Sequence, residues 1–373
     1  PEQWPMGSSA DVLKRGAWSA IAVLGALVAG CSSDSSQPNG PGAHDPESDS
    51  RLYVTSGFTD EVLRMDPSDG SIVRRIPTER RRDEVDEPHA VAISPDGRYW
   101  YATVAHGEPT LWKYEMAGDR LVGRVTLPTA GAARIGITPD GARAFVPDYD
   151  RSQPGVPSRV SVVDLADLSV VATPVVCGGP HHAEVDPAGD LVAVACSLSD
   201  EIVLLDARTL EERDRFAAGP EAGPPGQPAL KPLNLAWSPD GEVIWVGLHL
   251  AGTVRAFRPN GEIVGTVTVG SGPAQIALTP DGSTLVTANR GDASLSMVDT
   301  NSLIETSRIP LGAEHPHGIA LDELGLRAFV SCEGTPQTSG RAVAVDLENG
   351  SVLWSAEAGA YTLGAAYAPA AAD

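Results

Sequence analysis

Residues 273–309 read PAQIALTPDGSTLVTANRGDASLSMVDTNSLIETSRI. Apolar-rich runs at Gln275–Leu278, Leu285–Ala288, Leu295–Val298 and Ile304–Ile309 alternate with turn-forming clusters, the pattern of short antiparallel strands. Thr279-Pro280-Asp281-Gly282 has turn chemistry: Pro presets φ, Asp bonds its own backbone, and Gly accepts φ > 0. The stretch therefore predicts one four-stranded antiparallel sheet, A-B-C-D, with the Pro-Asp-Gly turn joining A to B. A lone sheet of this size cannot bury both faces, so it needs copies of itself on either side.

Those copies are present. The turn recurs as Ser94-Pro95-Asp96-Gly97, Thr138-Pro139-Asp140-Gly141, Asp186-Pro187-Ala188-Gly189, Ser238-Pro239-Asp240-Gly241 and, degenerate, Asp322-Glu323-Leu324-Gly325. Successive glycines lie 44, 48, 52, 41 and 43 residues apart, the period of a β-propeller with four strands per blade. A second marker, an apolar residue plus Asp ending strand C, recurs at Val163-Asp164, Leu205-Asp206, Val298-Asp299 and Val345-Asp346, with Met65-Asp66 in blade 1. The segment 51–77 matches strands B, C and D but lacks A. The missing strand reappears as YTLGAAYAP at Tyr361–Pro369. The fold expected is all-β: a seven-bladed propeller over residues 51–373, closed by the C-terminal strand, which leaves only short, protected edges.

LYVTSG, RAFVPD, TLVTAN and RAFVSC, followed by VSVVDL, LSMVDT and VAVDLE, resemble the repeats of the YVTN (YncE-like) seven-bladed propellers from Arg51 to Pro369. The resemblance implies the fold and leaves the function open. Propellers of this kind include surface-layer proteins, ligand-binding scaffolds and, more distantly, lactonases and the propeller domains of haem and copper enzymes.

Residues 1–30 lie outside the repeats. Lys14 and Arg15 precede the apolar run Gly16–Gly30 and then Cys31. Fifteen residues fall short of a membrane span, and the layout is that of an export signal. LVAGC resembles the lipobox of bacterial lipoproteins, which implies lipidation of Cys31, and Pro1–Pro5 ahead of Met6 read as an over-extended gene start. Residues 31–50, Pro/Gly/Ser-rich and polar, read as a flexible tether. The expected location is the cell envelope: outer membrane or periplasm in a two-membrane cell, otherwise the cell surface.

The net charge of −22 belongs entirely to residues 31–373, because Glu2, Asp11, Lys14 and Arg15 cancel. An acidic body without a basic stripe argues against a nucleic-acid partner. The basic run Arg80–Arg82 is flanked by Glu79, Asp83, Glu84, Asp86 and Glu87 and reads as a solvated loop. A monomer is expected. With Cys31 lipidated, Cys177, Cys196 and Cys332 remain. A Cys177–Cys196 disulfide is compatible with the repeat but not required by spacing.

There is no Gly-x-Ser-x-Gly elbow, His-Glu-x-x-His, Cys-x-x-Cys-His or phosphate-cradling glycine loop. The histidines stand out instead. One position at the start of strand A carries His89, Ala133, His181, Leu233, Ala274 and His317 in blades 2 to 7, and Leu363 in blade 1. His182 is adjacent, His315 lies just ahead of blade 7, and His106 and His249 follow strand B on the same face. Arg134, Asn234, Gln275 and Arg290 are expected on the same rim, with Asp148 and Tyr149. With packed-sheet spacing of roughly 8–10 Å between inner strands, the histidines would fall short of one central ion. A multinuclear cluster, an off-centre transition metal using His181 or His182 with a loop ligand, or a small anionic molecule fits that estimate better, and His181, His182 and His317 are the candidate metal ligands. The reading favours a membrane-tethered scaffold that binds a ligand or protein through this face. A metal- or cofactor-dependent oxidoreductase component and a lactonase-type hydrolase are the alternatives.

Overall fold

A computed structural model describes residues 50–80, 84–335 and 338–370. The leader, Cys31, the tether to residue 49 and part of the basic loop lie outside the described residues. Strands Pro273–Leu278, Thr284–Asn289, Ser294–Asp299 and Ile304–Pro310 form one antiparallel sheet, as the opening stretch predicts. In its A–B turn, Asp281 accepts from the Thr279 hydroxyl (2.6 Å) and the Ser283 N–H (3.0 Å), while Gly282 sits at φ 72°. The strand-C aspartates behave alike: Asp206 accepts from the Arg208 and Thr209 N–H groups, and Asp299 from those of Asn301 and Ser302. Both sequence markers are thus turn-formers.

Seven such sheets form a seven-bladed β-propeller. From the inside out, blade 1 runs Ala365–Ala368, Arg51–Ser56, Glu61–Met65, Ile72–Pro77, so the C-terminal strand closes the ring. The other inner strands are Pro88–Ile93, Gly136–Ile137, Pro180–Val185, Pro232–Trp237, Pro273–Leu278 and Pro316–Leu321 in blades 2 to 7. The inner and middle strands are buried along most of their length, and the core divides into seven clusters, one at each blade–blade interface. This arrangement buries both faces of each sheet except along the outer strand, which is largely exposed.

Blade 3 departs from the repeat. Its inner strand is reduced to two residues, with Ala132 bridging Asp148 ahead of it. Its outer strand is broken at Thr173-Pro174 into Ser169–Ala172 and Val175–Gly178, because Pro cannot continue the ladder. The second piece carries Cys177, which is joined to Cys196 of blade 4 in a disulfide with a Cα–Cα distance of 5.8 Å. Cys332 is free and buried.

The long loops on the face bearing the D–A and B–C connections are held by buried carboxylates. Asp200 accepts from the N–H groups of Gly223, Ala229, Leu230 and Lys231, and Asp60 from those of Asp86 and Glu87. Each carboxylate satisfies several otherwise orphaned backbone donors and ties its loop to the blade at those residues.

Candidate functional site in the central channel

Position in the inner strand decides what each side chain does. In blades 2, 4, 5, 6 and 7 the ladder between strands A and B slips by one residue at the start of A, skipping His89, His181, Leu233, Ala274 and His317. A bulge of this kind re-aims the extra residue. The three histidines point inward and meet: the His89 ring centroid lies 6.0 Å from that of His181 and 6.1 Å from that of His317. Tyr149 packs edge-on against His181 at 4.8 Å.

The packed-sheet estimate of channel width is therefore too large. Inner strands approach more closely because small residues line their contacts. A Cβ at Gly136 would stand 2.1 Å from the Ala183 carbonyl oxygen, and one at Gly318 would stand 2.5 Å from that of Leu363. Without side chains between them, neighbouring blades almost touch near the axis.

One residue further along the inner strand lies a second ring: Ala90, Arg134, His182, Asn234, Gln275, Gly318 and Gly364. Polar side chains occupy blades 3 to 6, while Gly and Ala close the other side. A cavity of about 420 Å³ opens on the polar side, lined by the inner strands of blades 2 to 6 and reaching Pro95 at the A–B turns. Within it, Gln275 bridges to the Ile319 backbone, accepting from its N–H (2.9 Å) and donating to its carbonyl (3.1 Å). His182 Nδ1 accepts from the Leu235 N–H at 3.3 Å, which leaves the ring proton on Nε2. Arg134 Nε and Asn234 Oδ1 are buried with no hydrogen-bond partner, a costly state for polar atoms.

Two residues beyond His182 is Glu184, a lining residue that sequence reasoning passed over. Its repeat position reads Ala92, Gly136, Glu184, Ala236, Ala277, Ala320 and Ala366, a lone acid among Ala and Gly, so the signal was available by aligning the inner strands. Burial pushes its carboxyl up to about 8, against the opposing pull of the Arg134 guanidinium. Burial likewise lowers Arg134 to about 10, and holds His182 well below the usual imidazole range, with Arg134 adding to the effect. At neutral pH the cavity thus presents a cation, a neutral imidazole and a largely protonated carboxyl.

The remaining sequence-predicted residues take other roles. His182 lines the cavity, which His181 and His317 do not, and among the described residues no group of three such side chains is placed to hold a metal ion. His106 is exposed, its Nε2 3.4 Å from Glu87 Oε2. His249 Nδ1 lies 3.3 Å from the Pro273 carbonyl oxygen, and His315 Nδ1 lies 3.1 Å from that of Gly334. Arg290 makes a bidentate pair with Glu333, at 2.8 and 2.9 Å. Asp148 holds the backbone of Ala130 and Gly131, which makes it structural.

Fold and site together define a seven-bladed propeller with a polar cavity set off the channel axis. The chain belongs to the family described as "Lactonase, 7-bladed beta-propeller", whose model matches residues 61–358. Among solved structures it is similar to the periplasmic gluconolactonase PpgL of Pseudomonas aeruginosa, with a TM-score of 0.69, 20% identity, and coverage of 86% of this chain and 100% of that one. A functionally unknown protein from Desulfotomaculum acetoxidans DSM 771 gives 0.66 at 15% identity over 87% and 99% of the two chains. Kuenenia stuttgartiensis hydrazine synthase gives 0.60 at 20% over 73% and 80%. At these identities the structural likenesses establish the fold alone. No curated protein matched the chain.

Proposed function

We propose that the protein is a lactonase-type hydrolase acting in the channel cavity on polyhydroxylated lactones. The observation that carries this is Glu184, a single acid in a ring of Ala and Gly, set beside Arg134 and a neutral His182 in a cavity of suitable size. Family membership and the likeness to a protein named as a gluconolactonase support the same reading. A channel that served only as a scaffold, the role first expected from the sequence, has no need of a lone carboxyl there.

In the proposed reaction, ionised Glu184 takes a proton from water as the water oxygen bonds to the lactone carbonyl carbon. The carbonyl π electrons move to oxygen, and the resulting oxyanion is held by the Arg134 guanidinium and the His182 Nε2–H. Collapse of the intermediate breaks the bond to the ring oxygen, which takes the proton back from Glu184 as the hydroxy acid forms. The unpartnered Asn234 Oδ1 accepts from a substrate hydroxyl.

Because the carboxyl sits near 8, the base form is scarce at neutral pH and grows as pH rises. kcat/KM for gluconolactone should climb with pH and level off above about 8, after subtraction of spontaneous hydrolysis. Glu184→Gln preserves the shape of the protonated acid. It should lower kcat by about 10²–10⁴-fold and abolish the climb. Wild-type protein without activity above background, or a variant with an unchanged pH profile, would refute the assignment.

We also propose that the protein is exported and held at a membrane by lipidation of Cys31, on the strength of the LVAGC sequence and the tether that follows. Cys31→Ser should move it from the membrane fraction to the soluble fraction with the fold unchanged. Persistence in the membrane fraction would mean another attachment.

A further inference from the structure

We propose that His89, His181 and His317 form a binding site for one divalent transition-metal ion of the zinc or cobalt kind, separate from the Arg134–Glu184 cavity. The site differs from the set expected from the sequence: His89 takes the place of His182.

The hydrogen bonds behind the rings carry the argument. His181 Nδ1 lies 2.7 Å from the Leu233 carbonyl oxygen, and His317 Nδ1 lies 3.0 Å from that of Leu363. A carbonyl only accepts, so both Nδ1 atoms carry the proton and both Nε2 atoms present a lone pair. Behind His89, Glu87 Oε1 stands 3.8 Å from Nδ1, while its Nε2 is buried with no hydrogen-bond partner. All three imidazoles thus have an unused Nε2, and His181 and His317 have a carbonyl bonded behind Nδ1, whereas Glu87 at 3.8 Å stands beyond hydrogen-bond reach of His89. Metal-binding histidines show this arrangement, in which the rear acceptor fixes the tautomer and raises the basicity of the donor nitrogen.

Three converging imidazoles suit zinc, cobalt, nickel or copper over magnesium or calcium. With nitrogen–metal bonds of about 2.0–2.1 Å, ring centroids around a tetrahedral ion lie roughly 5 Å apart. The His89 ring stands 6.0 Å from that of His181 and 6.1 Å from that of His317, and among the described residues no group of three His, Cys, Asp or Glu is placed to hold a metal ion without movement. Binding would draw the His89 ring about 1 Å closer to each of the other two, leaving a fourth position for water.

The test is titration of the full chain, stripped with chelator and dialysed, with Co(II) at neutral pH. A single saturating equivalent should produce the intense visible bands of four-coordinate cobalt, and Zn(II) should bleach them. His317→Gln should abolish the bands, and His182→Gln should leave them. His89→Gln, whose ring has no backbone bond to another blade, should also abolish them and tests the site even if the His317 variant is unstable. Absence of saturable bands in the wild type, or bands that survive His89→Gln, would overturn the proposal. Either result is independent of whether lactones are hydrolysed.

Discussion

A chain truncated after Ala360 should fail to unfold cooperatively and should aggregate, because residues 361–370 close the ring. Ala365–Ala368 pairs with blade 1 in the register Arg51↔Ala368, Leu52↔Tyr367, Tyr53↔Ala366, Val54↔Ala365. Ahead of that strand, Thr55 Oγ1 accepts from the Leu363 and Gly364 N–H groups, and Gly57 N–H donates to the Tyr361 carbonyl. Leu363, Ala365 and Ala366 are buried, and Tyr367 stacks on Phe329 of blade 7 at 5.4 Å. Removal bares a strand edge on blade 1 and leaves an empty seat between blades 7 and 2. A buried Leu contributes about 1.5–3 kcal/mol, and each orphaned backbone group costs about 1–3 kcal/mol. Together these rival a total stability of about 5–15 kcal/mol. Thermal melting with light scattering is the measurement. A truncated chain that melts like the full one would refute closure by this segment.

Asp119→Ala should be the most destabilising single substitution away from the channel, at about 3–5 kcal/mol. The Asp119 side chain is fully buried at the junction of blades 1 and 2. It accepts from Tyr53 Oη at 2.6 Å, Trp100 Nε1 at 3.2 Å and Arg64 Nη1 at 2.9 Å. Burial and the neighbouring carboxylate push the Tyr53 phenol upward, so it stays protonated and donates. Removing the carboxylate strands the largely buried Arg64 charge together with two buried donors. Asp119 also sits at φ 51°, a conformation that Ala tolerates poorly. Asp119→Asn, which accepts that backbone, separates the two causes: most of the loss should remain, because the charge has gone. Chemical denaturation of both variants measures this, and a loss under 1 kcal/mol in each would show that the network is dispensable.

None of the partners of Asp119 could be read from the repeat. Asp119 belongs to neither repeat marker; its contacts with Tyr53 and Arg64 cross to blade 1 over separations of 66 and 55 residues, while that with Trp100 stays within blade 2. The disulfide is similar. Cys177 and Cys196 occupy defined repeat positions, but that they meet is settled by the packing of blade 3 on blade 4, with Cys177 carried on the second piece of the broken outer strand.

The sequence by itself determined the all-β architecture, the blade number, the A–B turns and the closing strand. Each follows from local chemistry repeated with a period: apolar runs alternating with turn clusters, Pro-Asp-Gly turns, and a strand missing at one end and present at the other. It also placed His89, His181 and His317 at one repeat position. Only the tertiary structure decided that these three meet on the axis while His182, their neighbour in sequence, faces a different cavity. A one-residue bulge at the start of the inner strand separates consecutive side chains into two layers, and no turn or hydrophobic pattern records it. The depth of the channel, the isolation of Glu184 beside Arg134 and the carboxyl raised toward 8 likewise depend on how closely Gly136, Gly318 and Gly364 let the blades approach. Desolvation is a property of the assembled ring, so the chemistry of the site appears only when the seven blades are packed.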